Sequence, residues 1–475
     1  MERIRRFGTT IYTHKKKFIF ASLVAAYGID YARLSIRDSD IRTFYAKQAV
    51  KYGEQTISPE ISPRKITVLV NKSANSGSGV SDFKKNALPL LHLAGIAVTI
   101  INVESAEQMR ALCSVLDHTE ADGVLVVGGD GTASDALTGL VQRKDELPSL
   151  PIGIFPGGKC NKSLRLLVPA VFRQTSDVRY QCESAMAVVE NSTRSVKPIK
   201  VEITSLVEPE EKDEEAPEEK PQGTPAEVKE PEKPEISADI QQWKVETVYT
   251  IGDIADGWFN YIDEKKWKFW YWGSLKRRFA YFWEMLKNSP KEIRAEIELT
   301  DYCSGCNKCR TTKVSPPPAW RWWHILIGSP KTQRINPKEK NYSQVVNEGC
   351  GRKTEMCAQG TDIVVVGEQH EDACSLRLRV GGTFAGRLGI MRNGWTRTSE
   401  DFIISSATPG FYGIDLVASS VTMKFIECPT TLEKLFVSGN IKDFKSGTST
   451  VKIQPIEKSI ELFLPKHTRV NLDAF

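Results

Sequence analysis

The 475-residue chain has no apolar run of the roughly 20 residues that a bilayer-spanning helix needs. Its apolar stretch at 18–28 stops before Asp30, and the residues that follow make a poor secretory cleavage site. Histidine is scarce, at six residues, and none has a ligand partner at helix or hairpin spacing, so histidine-held metal is not expected. The net charge of +5 is too mild to argue for nucleic acid, which is not expected as a partner. Ten cysteines in this length do not make a disulfide-dense scaffold.

What is present begins with a basic N-terminus. Arg3, Arg5, Arg6, Lys15, Lys16 and Lys17 stand against one acid, Glu2, just ahead of the apolar stretch. A short or tilted anchor, an interfacial amphipathic segment and a mitochondrial targeting region merging into an anchor all fit; a buried helix of the first domain is the plainer alternative. Membrane association is the expectation for residues 1–60.

The centre of the chain's chemistry is Gly123 to Thr132. Gly-Val-Leu-Val-Val reads as a fully buried strand, and Gly128-Gly129-Asp130-Gly131-Thr132 follows without a spacer, running into apolar residues at helical spacing. A strand that turns through glycines into a helix bares backbone N–H groups at a helix N-terminus, where phosphate binds. The turn has neither the Gly-Lys-Ser/Thr ending of a P-loop nor the Gly-x-Gly-x-x-Gly of dinucleotide sites. A tight strand–helix turn capped by Asp130 is the alternative.

Around it, strands at 66–70, 97–101 and 152–155 alternate with helices at 83–93 and 106–116. That pattern predicts an α/β nucleotide-binding domain with a parallel sheet over residues 61–195. Loops at 71–79, 128–132 and 156–161 then leave the carboxyl ends of three strands, where open α/β sheets bind ligands.

Asn71 with its Ser/Gly loop, Gly-Gly-Asp-Gly-Thr at 128–132 and Pro-x-Gly-x-x-Asn at 156–161 occur in the order and spacing of the diacylglycerol-kinase catalytic domain. The chain resembles that superfamily, which includes sphingosine, ceramide and bacterial lipid kinases. Lys-Asn-Ala-Leu-Pro-Leu-Leu-His-Leu-Ala-Gly at 85–95 and Tyr-Trp-Gly-Ser-Leu-Lys at 271–276 resemble its mitochondrial acylglycerol kinase branch. The resemblance covers most of 60–290. It implies ATP and Mg²⁺, mono- and diacylglycerol as substrates, and the mitochondrial inner membrane, facing the intermembrane space. It also implies Asp130 as base or metal holder, and nucleotide contacts from Asn71, Gly77, Gly128, Gly129, Gly131, Thr132, Gly158 and Asn161. The chain departs from the family pattern at Lys72, Val103, Asp135 and Lys159-Cys160. Where the family carries Asp-Gly-Glu near its C-terminus, residues 445–449 align and hold no carboxylate. Lys159 would add compensating charge near phosphate. A kinase-fold subunit of the inner-membrane carrier translocase, without catalysis, is the rival reading.

Beyond residue 195 the pattern changes to a β-rich, sandwich-like domain over 196–475, with short strands to the end; the resemblance to lipid kinases implies that the last one packs back toward the first domain. A Glu/Pro/Lys block at 207–236 interrupts it and reads as a solvated, disordered insert. Residues 265–287 mix Trp267, Trp270, Trp272 and other aromatics with Lys276, Arg277 and Arg278. This is the composition of a membrane-interface surface, or of a core helix with a basic outer face. Pro-Pro-Pro-Ala-Trp-Arg-Trp-Trp at 316–323 is a second such patch. Within a cysteine-rich insert at 300–360, Cys303, Cys306 and Cys309 have zinc-ligand spacing if Cys350 or Cys357 supplies the fourth sulfur; a disulfide is the rival.

Overall fold

The computed structural model describes residues 15–55, 62–143, 150–158, 161–172, 177–206, 243–288, 290–309, 342, 344–370, 373–382, 391, 392, 394–396, 398 and 412–466. The insert expected at 207–236, the aromatic patch at 316–323, Lys159, Cys160 and the basic residues ahead of Lys15 lie outside the described residues.

The first sheet is built from β1 (Lys65–Asn71), β2 (Ala97–Val103), β3 (Gly123–Gly128), β4 (Ile152–Pro156) and β5 (Thr193–Val196), joined by β17 (Ile460–Phe463). Its order is β2-β1-β3-β4-β17-β5, parallel except where β5 runs against β17. Alternate residues of these strands feed two separate cores. Leu69, Val124, Val126 and Ile154 pack with α4 (Ala106–Val115) and α5 (Asp130–Val141), while Val68, Leu125, Val127 and Phe155 pack on the other face. The helices on that face are α1 (Lys15–Gly53), α2 (Ser78–Asn86), α3 (Leu88–Leu93) and α8 (Asp177–Val189). Burial on both faces of β1, β3 and β4 explains why these strands read as continuous apolar runs.

Two local departures from the expected pattern have simple causes. The helix expected at 83–93 is split into α2 and α3, because Pro89 in the first turn of α3 has no N–H to continue the preceding ladder. The strand expected at 196–205 breaks at Pro198, so β5 stays in the first sheet and β6 (Ile199–Leu206) opens the second.

The second sheet is antiparallel and runs β15-β14-β8-β11-β12-β13-β16-β6-β7, with β9 branching off β13 and β10 pairing β9. Its strands are β6, β7 (Trp243–Thr250), β8 (Asp253–Gly257), β9 (Ile293–Asp301), β10 (Lys353–Gly360), β11 (Asp362–Gln369), β12 (Cys374–Gly381), β13 (Tyr412–Glu427), β14 (Lys434–Val437), β15 (Asn440–Asp443) and β16 (Thr450–Pro455). Inward residues from β6, β9, β12, β13 and β16 all enter one buried cluster, so the sheet curls around a single core. α9 (Trp258–Lys265) and α10 (Lys276–Lys287) close one end through Trp258, Phe259 and Tyr281. The short α6 (Lys162–Leu167) and α7 (Pro169–Phe172) lie on the first domain near this junction.

Helix α1 divides into two halves. Ile41, Tyr45 and Ala49 enter the first-domain core, and the Tyr45 hydroxyl donates to Glu183 Oε1 of α8 at 2.7 Å. Phe20, Val24, Tyr27, Ile29 and Ile36 in the other half are exposed. Among the described residues no helix is long and apolar enough to cross a membrane.

Candidate functional site

The three glycine loops meet in one cleft of about 350 Å³ between the two domains. Ser73, Ala74 and Asn75 enter it from the loop after β1, residues 129–132 from the loop after β3, and Gly158 from the loop after β4. The second domain contributes Lys162-facing Asp253 on β8, Asn260, Asp263 and Glu264 on α9, and Lys266 and Trp267 just beyond it. Residues 439–441 of the β14–β15 turn close the remaining side.

Backbone convergence requires glycine here. A Cβ on Gly158 would stand 2.2 Å from the Gly129 Cα, and one on Gly131 would stand 2.2 Å from Asn440 Oδ1. Gly77 has φ +89°, a left-handed turn that starts α2. The loops are also bonded to one another. Asn71 Nδ2 donates to Thr132 Oγ1 at 3.0 Å, and Asn71 Oδ1 accepts from the Ser73 N–H at 3.0 Å. Asn161 turns back on its own loop, Nδ2 to Gly158 O at 3.0 Å. All eight residues expected at a nucleotide thus belong to three loops that touch. Gly129, Gly131, Thr132 and Gly158 line the cleft itself; Asn71 and Asn161 brace it.

Asp130 sits in the first turn of α5, 4% exposed. Its carboxylate accepts the N–H of Lys162 at 2.7 Å and of Ser163 at 3.0 Å, so it also caps α6. Burial raises its pKa to about 6, against the opposing pull of those two N–H groups, with Asp253 adding to the rise. Lys162 Nζ bridges to Asp253 Oδ2 at 3.0 Å across the domain boundary. Burial would also raise Asp263, but Arg277, Lys266 and Lys162 outweigh it and hold that carboxyl at about 2. Arg277 Nε lies 2.6 Å and Lys266 Nζ 2.8 Å from its oxygens. The cleft therefore pairs a bed of backbone N–H groups with carboxylates of very different proton affinity.

The aromatic segment continues from this edge. Trp267 lines the cleft, with Lys276 Nζ 4.1 Å over its ring. Trp270, Tyr271 and Trp272 point outward at 76%, 62% and 42% exposure, and Phe282, Trp283 and Leu286 of α10 continue the surface. Trp272 and Phe279 stack at 4.3 Å. Cys303, Cys306 and Cys309 gather with Cys350 and none of them lines the cleft, while Cys357 is exposed on β10.

The family model for the diacylglycerol kinase catalytic domain matches residues 65–201. The chain is 38% identical to an uncharacterized Caenorhabditis elegans protein over 473 residues, 99% of each chain. It is 27% identical to the mitochondrial acylglycerol kinase of Xenopus laevis over 302 residues, 62% of this chain and 60% of that protein. Human sphingosine kinase 2 is 34% identical over 113 residues, 23% of this chain and 17% of that protein. Residues 65–201 form a diacylglycerol kinase catalytic domain.

The departures from that domain's pattern have definite places. Val103 is buried among Leu69 and Met109 beneath the sheet rather than facing the cleft. Asp135 pairs with Arg110 of α4 at 2.7 Å, which ties α4 to α5. Lys72 reaches outward to Glu104. The turn that meets Gly131 is Ser438-Gly439-Asn440, which has no carboxylate, and residues 445–449 do not line the cleft. Ser438 and Gly439 have φ +47° and +84°, the two-residue hairpin that puts Asn440 in the cleft. Lys162, Asp253, Asp263 and Asn440 escaped sequence reasoning. For Asp253 the signal was two carboxylates in one short strand, Asp253 and Asp256.

Proposed function

We propose that this protein is a lipid kinase that transfers the terminal phosphoryl group of ATP to mono- and diacylglycerol, giving lysophosphatidate and phosphatidate. The observation that carries the reading is the convergence of three glycine loops on Asp130, with an exposed aromatic-basic surface starting at the same cleft. The cradle fits polyphosphate: positions where a Cβ would collide with the opposing loop leave N–H groups bare at the N-terminus of α5. Phosphoryl transfer needs positioning and charge neutralisation more than covalent help. The N–H groups of 129–131 would hold the phosphate oxygens, and Thr132, fixed by Asn71, would add a hydroxyl. Asp130, with its pKa near 6, would take the proton of the lipid hydroxyl at neutral pH. Magnesium, when bound, would neutralise phosphate charge, with Asp253 as its protein ligand.

Trp270, Tyr271 and Trp272 beside Lys276 suit the headgroup region of a bilayer, so the cleft would meet its lipid at the membrane surface. The exposed apolar half of α1, behind a basic segment, supports attachment at the same membrane. The mitochondrial acylglycerol kinases among the relatives support a mitochondrial location, and the inner membrane, facing the intermembrane space, is the placement this reading adopts. The test is incubation of purified full-length protein with labelled ATP, Mg²⁺ and mono- or diacylglycerol in mixed micelles. Labelled phosphatidate or lysophosphatidate from the wild type, and about 10²–10⁴-fold less from Asp130→Asn, is expected. No labelled lipid from the wild type overturns the reading.

One observation favours a second reading, a catalytically silent subunit of the carrier translocase: the Ser438-Gly439-Asn440 turn that closes the cleft opposite Gly131 holds no carboxylate. It predicts intact carrier import in cells carrying Asp130→Asn.

A further inference from the structure

Strands β9 and β10 form a hairpin whose connection is about 50 residues long, where a handful would do. Both feet of that connection carry cysteine. Cys303, Cys306 and Cys309 follow β9, and Cys350 precedes β10. Their four Sγ atoms lie within 4.8 Å of one another, and all four thiols are free. Cys306 and Cys309 are 3.7 Å apart, and Cys309 and Cys303 are 3.8 Å apart. Four sulfurs placed tetrahedrally at about 2.3 Å from one ion stand about 3.8 Å from each other.

The surrounding backbone is arranged for the same cluster. The Cys306 N–H points at Cys309 Sγ, 3.4 Å away, as in a turn that wraps a thiolate. Gly305 has φ +143°, and a Cβ there would lie 2.4 Å from the Tyr342 ring, so only glycine lets the turn close under that ring. The Asn307 N–H donates to Val345 O at 2.9 Å, and the Asp301 N–H to Arg352 O at 3.0 Å, tying the two feet together. The group contains no carboxylate or histidine. An all-sulfur, four-ligand set is soft and closed, which selects zinc over magnesium or calcium and leaves no open position for catalysis. Cys357, the other possible fourth ligand, sits on β10 beside Arg294 and outside the group.

We propose that Cys303, Cys306, Cys309 and Cys350 bind a structural zinc ion that staples the base of the β9–β10 connection. Binding replaces the thiol protons with the metal, so each zinc taken up releases protons to solvent. Elemental analysis of full-length protein purified without chelator should find one zinc per chain. Cys306→Ser should lose it, and Cys357→Ser should keep it. Should the Cys306→Ser chain fail to fold, the wild type exchanged with cobalt decides: intense visible bands of a tetrahedral tetrathiolate site are expected. Four outcomes overturn the proposal: no metal with two disulfides among these cysteines; iron with acid-labile sulfide; zinc retained in a folded Cys306→Ser chain; or a cobalt spectrum without those bands.

Discussion

Replacing Asp130 with asparagine removes a buried charge while nearly preserving the shape of the side chain. Two N–H groups and a nearly closed environment pull on that carboxylate in opposite directions, and burial wins, raising its pKa from 3.8 to about 6. A carboxyl raised in the folded state contributes stability below its unfolded pKa, and that contribution fades as pH rises through the folded value. A tenfold difference in proton affinity between the folded and unfolded chain corresponds to about 1.4 kcal/mol. Raising the pH from about 4.5 to about 7.5 should therefore cost the wild type about 2 kcal/mol through this one group, a loss the asparagine variant does not share. Equilibrium urea denaturation of both proteins, without nucleotide, at the two pH values reads the effect. The stability of Asp130→Asn relative to wild type should rise by that amount toward neutral pH. Transfer to lipid should meanwhile fall by about 10²–10⁴-fold, the usual loss on removing a catalytic base. A stability gap that stays flat with pH, or that moves the other way, would refute the assignment of Asp130 as a carboxyl destabilised by burial.

Three other outcomes follow from the same geometry. Gly158→Ala places a Cβ 2.2 Å from Gly129 Cα, so the two loops must part; calorimetry should show magnesium-ATP affinity reduced about tenfold or more. Gly131→Ala collides with Asn440 Oδ1, and the double variant Gly131→Ala/Asn440→Ala should recover about 1 kcal/mol of the affinity lost, read as a mutant cycle. Trp270→Ala combined with Tyr271→Ala should weaken flotation with anionic vesicles. Their exposure leaves thermal unfolding unchanged to within about 0.5 kcal/mol.

The first sheet and its loops were legible because buried parallel strands write themselves as short Val/Ile runs ending in glycine. Val124–Val127 followed by Gly128 is such a run, and every residue of β3 is buried. The return of β17 to the first sheet was expected only from the resemblance to lipid kinases, because its short apolar run does not say which sheet it joins. The far wall of the cleft was not legible. Asp253, Asp263 and Asn440 come from β8, α9 and the β14–β15 turn, and only long-range pairing brings them opposite Asp130. Two glycine turns close together, at Gly439 and Gly447, both have positive φ, and local sequence does not reveal which faces the phosphate loops. The outward face of the aromatic segment was hidden for another reason. Phe269 and Gly273 break the helix, so periodicity carries no information on why Trp267 lines the cleft while Trp270 faces out. The choice of Cys350 over Cys357 likewise depended on how the two feet of one hairpin meet.

Whether the loops at 71–79, 128–132 and 156–161 hold the phosphates of a nucleotide is the claim from which the catalytic reading grows. Calorimetric titration of the full-length protein with magnesium-ATP tests it most directly. Saturable heat at one site, lost with Gly158→Ala and weakened without magnesium, is the predicted result. A flat titration of folded wild-type protein would contradict it.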